Sequence, residues 1–187
     1  MLSKADSPNK MFLRVRLDNF IHEYNGIIED LNLLKEKIII DSNIRFREIA
    51  KHLSILRKEN KQKLKNTIDD LNCCKNINVA YNLLEKENKL KENFNDLRFL
   101  ARTNKFNYEE ELNDFIRVFN AYIADISNSI EINELEKFKN FGYFSSELID
   151  ELIEIFQKYF ICLSNWNVLN NEISELLGEE RNNKKRG

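Results

Sequence analysis

A chain of 187 residues, 42% hydrophobic and 32% charged with a formal net charge of −2, is long enough for one domain with a core and too apolar for a disordered polymer. Four Gly and one Pro argue against the many sharp turns of an all-β or α/β fold, whereas long helices need almost none. No window approaches a membrane-spanning run of apolar residues, the longest aliphatic block being Ile38-Ile39-Ile40, and Met1 to Lys10 lacks the apolar core of a signal peptide.

In chain order, Asp6, Ser7 and Pro8 read as a helix start. Leu13, Leu17, Phe20, Tyr24, Ile27, Leu31, Leu34 and Ile38 then step alternately by four and three, a coiled-coil seam that predicts a first helix to about Ile39. Gly26 inside it suggests a close helix crossing or mere drift, at a cost of about 1 kcal/mol relative to Ala. Asp41-Ser42-Asn43 offers cap chemistry, and a second helix is expected over residues 44–71, although one kinked helix would also fit. Its seam runs Ile49, Leu53, Leu56, then Leu64, Ile68, Leu71, with Asn60 where an apolar residue belongs.

Asn72 to Asn78 reads as a short connection carrying Cys73 and Cys74; with Cys162 these make an odd set, no disulfide framework, and fit a reducing compartment. A third helix follows with Ala80, Leu83, Leu90, Phe94, Leu97 and Ala101, interrupted only by Glu87. A break is expected at Arg102-Thr103-Asn104. A fourth helix then carries Tyr108, Leu112, Phe115, Phe119, Tyr122 and Ile126, widened by Ile116 and Ile123 into a two-sided apolar face. Residues 127–144 read as a loop with a short helical piece. Ser145-Ser146 and Glu147 open the last helix, whose seam runs from Leu148 through Leu152, Tyr159, Cys162 and Trp166 to Leu176. Gly178 reads as its stop, leaving 179–187 as a charged, disordered tail. The fold class expected is therefore all-α: an antiparallel bundle of four to five long heptad-patterned helices in one domain over residues 1–178.

The small net charge hides an asymmetry. Arg45 to Lys65 holds Arg45, Arg47, Lys51, Arg57, Lys58, Lys61, Lys63 and Lys65 against Glu48 and Glu59, while Tyr108 to Glu180 holds sixteen acids against four cations. A basic helix beside an acidic half can complement it within the fold, or the basic helix can present a contact surface. Nucleic acid is the less favoured partner for it, because the acidic half would repel phosphates.

Chemistry-bearing residues are few. The two histidines, His22 and His52, are thirty residues apart; no Glu-x-x-His pair exists and Cys73-Cys74 lacks metal-finger spacing, so neither a metal nor a cofactor is expected. Glu109-Glu110-Glu111 needs no more than a helix dipole. No phosphate loop or nucleophile elbow is present. Arg47 and His52, with four residues between them, resemble the Arg/His motif of HEPN-domain ribonucleases, and Arg16 to His22 is one residue longer. That resemblance implies His as general acid or base and Arg stabilising phosphorane charge, in a dimer. The motif lies early in this chain, where the family carries it late, and a solvated helix face accounts for it more simply.

Leu112-Asn113, Ile116, Phe119-Asn120 and Ile123 resemble the "YN..V..YN..I" signature of the LemA family. Glu85 to Leu90, Phe99-Leu100-Ala101-Arg102, Phe141 to Phe144, Tyr24-Asn25-Gly26 and Ile40-Asp41 with Arg45 and Arg47 are similar to other segments of that family. The likeness is partial: Leu112 and Phe119 replace Tyr, the middle is shorter, and the family's N-terminal membrane helix has no counterpart. It implies a helical scaffold with no established catalytic activity, working beside membranes. Asn113 and Asn120, one heptad apart, read as register-setting amides in preference to ligand contacts. The expectation from sequence is thus a non-enzymatic scaffold, adaptor or complex subunit acting through a protein partner or through self-association. It is placed in the cytoplasm, membrane-adjacent and peripherally associated if LemA-like.

Overall fold

The computed structural model describes residues 8–124, 133–140 and 142–186, and among them there is helix and no strand. Three long helices dominate: α1 (Pro8–Asn72), α2 (Ile77–Ala124) and α4 (Ser146–Arg186), with one-turn α3 (Asn133–Glu136) leading into a 3-10 turn at Lys137–Asn140. Pro8 stands at the first helical position, where its missing N–H costs nothing.

Two expected breaks are absent. α1 runs unbroken through Asp41-Ser42-Asn43, where the Asp41 and Ser42 side chains find partners compatible with helix: Ser42 Oγ donates to the Ile39 carbonyl at 2.8 Å and lies 3.1 Å from Tyr108 Oη, and Arg45 Nε donates to Asp41 Oδ2 at 2.8 Å. α2 likewise runs through Arg102-Thr103-Asn104, where Thr103 Oγ1 donates back to the Phe99 carbonyl at 3.0 Å. Five expected segments thus become three long helices. At the C-terminal end, Gly178 does not stop α4, which continues across the residues expected to form a disordered tail as far as Arg186. An exposed glycine inside a helix costs about 1 kcal/mol, which the cooperative helix absorbs. Gly26 is equally unforced, since a Cβ there would meet nothing within 4 Å, so no close helix crossing explains it.

The connection between α1 and α2 keeps its expected place. Cys73 N–H donates to the Asp69 carbonyl and Cys74 N–H to the Leu71 carbonyl, closing α1. Asn76 then caps α2, its Oδ1 accepting from the Asn78 backbone N–H at 2.9 Å.

The chain forms two compact units. The first comprises Met1–Ile38, Asn120–Asn140 and Ser146–Gly187. Here the expected seam is buried at Ile27, Leu31, Leu34 and Ile38, and half-buried nearer the start of α1. Phe20 stacks on Trp166 at 5.1 Å, Tyr24 faces Tyr159 at 6.1 Å, and Arg16 pairs with Glu172, so partners fall along α4 as they rise along α1. Tyr122 packs against Phe156 and Phe160 at 5.3 and 5.9 Å. Leu135 and Phe138 close the same core, with Lys139 paired to Asp150.

The second unit comprises Ile39–Phe119 and Phe141–Ser145. Within it, Ser42 stands level with Tyr108, and Leu56 and Asn60 share a cleft with Leu90 and Leu97, so α1 and α2 again pair in opposite senses. Phe46 stacks flat on Tyr108 at 4.6 Å and 8°, Tyr143 leans on both rings, and Phe115 meets Phe144 at 5.3 Å.

Candidate contact surfaces

The basic stretch of α1 divides when it is wound into a helix. Arg45 and Arg57 are half-buried: Arg45 is tied to Asp41, and the Arg57 Nε is enclosed without a hydrogen-bond partner. Lys63 lines the inner cleft beside Asn60. Arg47, Lys51, Lys58, Lys61 and Lys65 are separated by steps of three, four and seven, which on a 3.6-residue helix put them on one face, and all five are exposed. Ile40, Ile44 and Ile55 share that face and are 62%, 51% and 43% exposed.

Arg47 and His52 are both exposed on α1, but five residues correspond to about 140° of rotation, so one helix does not aim both at a common point. His22 is exposed as well, and among the described residues no group of three His, Cys, Asp or Glu side chains could hold a metal ion. No helix of the described residues is long and apolar enough to cross a membrane.

Inside the second unit, a cleft of about 310 Å³ is lined by Leu56, Asn60, Lys63, Leu90, Asn93 and Asp96, among others. Asn60, out of place in the sequence pattern, is 7% exposed, and its Oδ1 has no hydrogen-bond partner. Further along, Tyr143 O–H donates to Asn104 Oδ1 at 2.5 Å. Burial and then the charge of Glu111 push the Tyr143 phenol up, while burial and then Glu110 push the Glu111 carboxyl up. In the first unit, burial, Tyr24 and Cys162 push Tyr159 up to about 12, its O–H donating to the Ile123 carbonyl at 2.9 Å. The Cys162 thiol is raised by burial and then by Glu23. In each of these groups burial favours the protonated form over the charged one.

Sequence reasoning missed the outer face of α2. Phe99 and Phe106 are 67% and 65% exposed, seven residues apart, on the side opposite the seam that buries Leu90 and Tyr108. Their position two residues off the seam was the available signal. The residues of the LemA-like pattern separate in the same way: Phe119 is buried, Leu112, Ile116 and Ile123 are half-buried, and Asn113 and Asn120 are exposed. In comparisons with family models, curated proteins and solved structures, nothing matches this chain.

Proposed function

We propose that the chain is a non-enzymatic helical scaffold or complex subunit, an antiparallel assembly of coiled-coil helices that works in the cytoplasm by offering helix faces to other proteins. The observation that carries this reading is the exposed face of α1 on which Arg47, Lys51, Lys58, Lys61 and Lys65 alternate with Ile40, Ile44 and Ile55. Such a face gains little from a phosphate backbone, which leaves the isoleucines in water, and more from an acidic amphipathic helix that covers both kinds of group. The LemA resemblance points the same way, toward a helical scaffold without catalysis.

The ribonuclease reading makes a separate demand, since Arg47 and His52 on different faces of α1 would have to meet a second copy's pair. Incubating the purified chain with single-stranded RNA, beside a His52→Ala variant, decides between them: the scaffold reading expects no cleavage by either. Cleavage by the parent that the variant loses would falsify it. Binding to RNA or DNA that falls steeply with salt and disappears in a Lys58/Lys61/Lys65→Ala variant would point to the nucleic-acid alternative.

A further inference from the structure

Once its core is accounted for, the second unit keeps two outer faces that match each other. On α1, Ile44, Lys51, Lys58 and Lys65 lie seven residues apart and are exposed; on α2, Glu85, Glu92, Phe99 and Phe106 do the same. Each line spans three heptads, about 32 Å at 1.5 Å per residue. Both point away from the seam on which Ser42 and Asn60 meet α2 and on which Leu90 and Tyr108 meet α1, so they occupy opposite sides of the paired helices. One line is basic with an aliphatic end. The other is acidic with an aromatic end.

Their order is complementary in the register that the chain already uses. Counting equal steps from the Ser42–Tyr108 pair brings Ile44 level with Phe106, Lys51 with Phe99, Lys58 with Glu92 and Lys65 with Glu85. Laid against each other, the two lines give an aliphatic-aromatic contact, an ammonium over a ring and two opposite-charge pairs. Asp96 falls level with Ser54 on the flank; Lys61 falls level with Lys89, a like-charge pair whose long stems can splay into water.

We propose that the occupant of the basic α1 face is a second copy of this chain, docking the acidic-aromatic face of its α2 in that same register. The inference rests on the scaffold reading and names its partner. Because the two faces differ and lie on opposite sides, the contact is head-to-tail, and every added copy presents a fresh α1 or α2 face. A nucleic acid would answer the lysines and leave Ile44 without a partner. The neighbour's α2 answers both.

Sedimentation velocity on the full chain, from micromolar to hundreds of micromolar, tests this. The parent gains mass with concentration, and raised salt weakens the association several-fold. Lys58→Glu with Lys65→Glu, and separately Glu85→Lys with Glu92→Lys, each raise the association Kd at least tenfold while circular dichroism is unchanged, since all four positions are exposed. Mixing the two variants in equal amounts restores association, because each supplies the face that the other has inverted. A parent that stays single throughout, variants that associate like the parent, or a mixture that stays dissociated overturns the proposal. Nucleic-acid binding by a parent that does not self-associate, lost in the Lys58/Lys65 variant, overturns it also. A single-copy parent that co-purifies with a defined protein partner sinks this inference and leaves the scaffold reading intact; His52-dependent cleavage sinks that reading whatever the mass.

Discussion

The two compact units are written in the same heptad grammar and have different interiors. Of twenty buried apolar side chains among the described residues, fourteen lie in the first unit, Tyr122, Phe138, Phe156 and Tyr159 among them. All four buried polar residues, Ser42, Asn60, Thr67 and Asn104, lie in the second. So do the three enclosed polar atoms without partners, on Arg57, Asn60 and Glu111. Apolar burial contributes about 25 cal/mol per Å², whereas an enclosed amide oxygen without a donor costs roughly 1–3 kcal/mol. The first unit therefore holds itself by its core, and the second has less margin and more of its apolar surface turned outward. A unit built that way is the natural place for contacts with another molecule.

Backbone amides report the contrast directly: by hydrogen exchange, those in residues 47–112 should lose protection before those in 149–169, and equal protection would erase the distinction. Among substitutions the largest effect is expected in the first unit. Phe156, fully buried against Tyr122, Tyr159 and Phe160, should lose about 3–5 kcal/mol of stability on change to Ala, read by urea denaturation. Asn60→Leu should go the other way, gaining about 1–2 kcal/mol, because it removes an acceptor without a donor and fills a seam position beside an existing cleft. A loss there would mean that Asn60 has a use other than packing. Tyr159→Phe should cost about 1 kcal/mol, the worth of a neutral hydrogen bond to the Ile123 carbonyl.

Alkaline titration sharpens the same point. Tyr159 ionises near 12 when folded, against an ordinary tyrosine value of 10.0. A folded pKa raised above the unfolded one gives stability that is complete below pH 10.0 and lost as pH climbs toward about 12. Spectrophotometric titration should show a late phenol near 12 that disappears in Tyr159→Phe. The smallest effect belongs to Glu111, whose carboxyl is also raised; here the charged form is the disfavoured one, so the penalty grows as pH rises above 4.5. Glu111→Gln should raise the melting temperature slightly at pH 7 and leave it unchanged near pH 4.

How much of this was legible follows from where each signal originates. The seams at Leu31, Leu34 and Ile38 and at Leu152, Tyr159 and Cys162 are local patterns, and they are buried as expected. The odd placement of Asn60 was visible for the same reason, whereas Asn72 to Asn78 was legible only as a connection and the cap at Asn76 came with the structure. Helix continuity at 102–104 was not, and at 41–43 it stood open beside a break, since what reconciles the polar residues with helix includes Tyr108 and Tyr143, remote in the chain. The basic stretch was legible as composition only. Which of its members reach solvent depends on which face of α1 meets α2, and that leaves Arg57 half-buried and Lys58 exposed. Phe99 and Phe106 lie off the seam and were given no role in the sequence pattern; their exposure came with the structure.

The bend between α1 and α2 gives the chain a chemical handle at one end of the second unit. Cys73 is exposed and Cys74 half-buried there, whereas Cys162 is fully enclosed. A maleimide should therefore alkylate the bend and spare the interior without any engineered site. In a row of copies sharing one register, neighbouring bends would sit about two interhelical spacings apart, roughly 20 Å. A bifunctional thiol reagent of that span would rivet adjacent copies, and a denaturing gel would then display the row as a ladder.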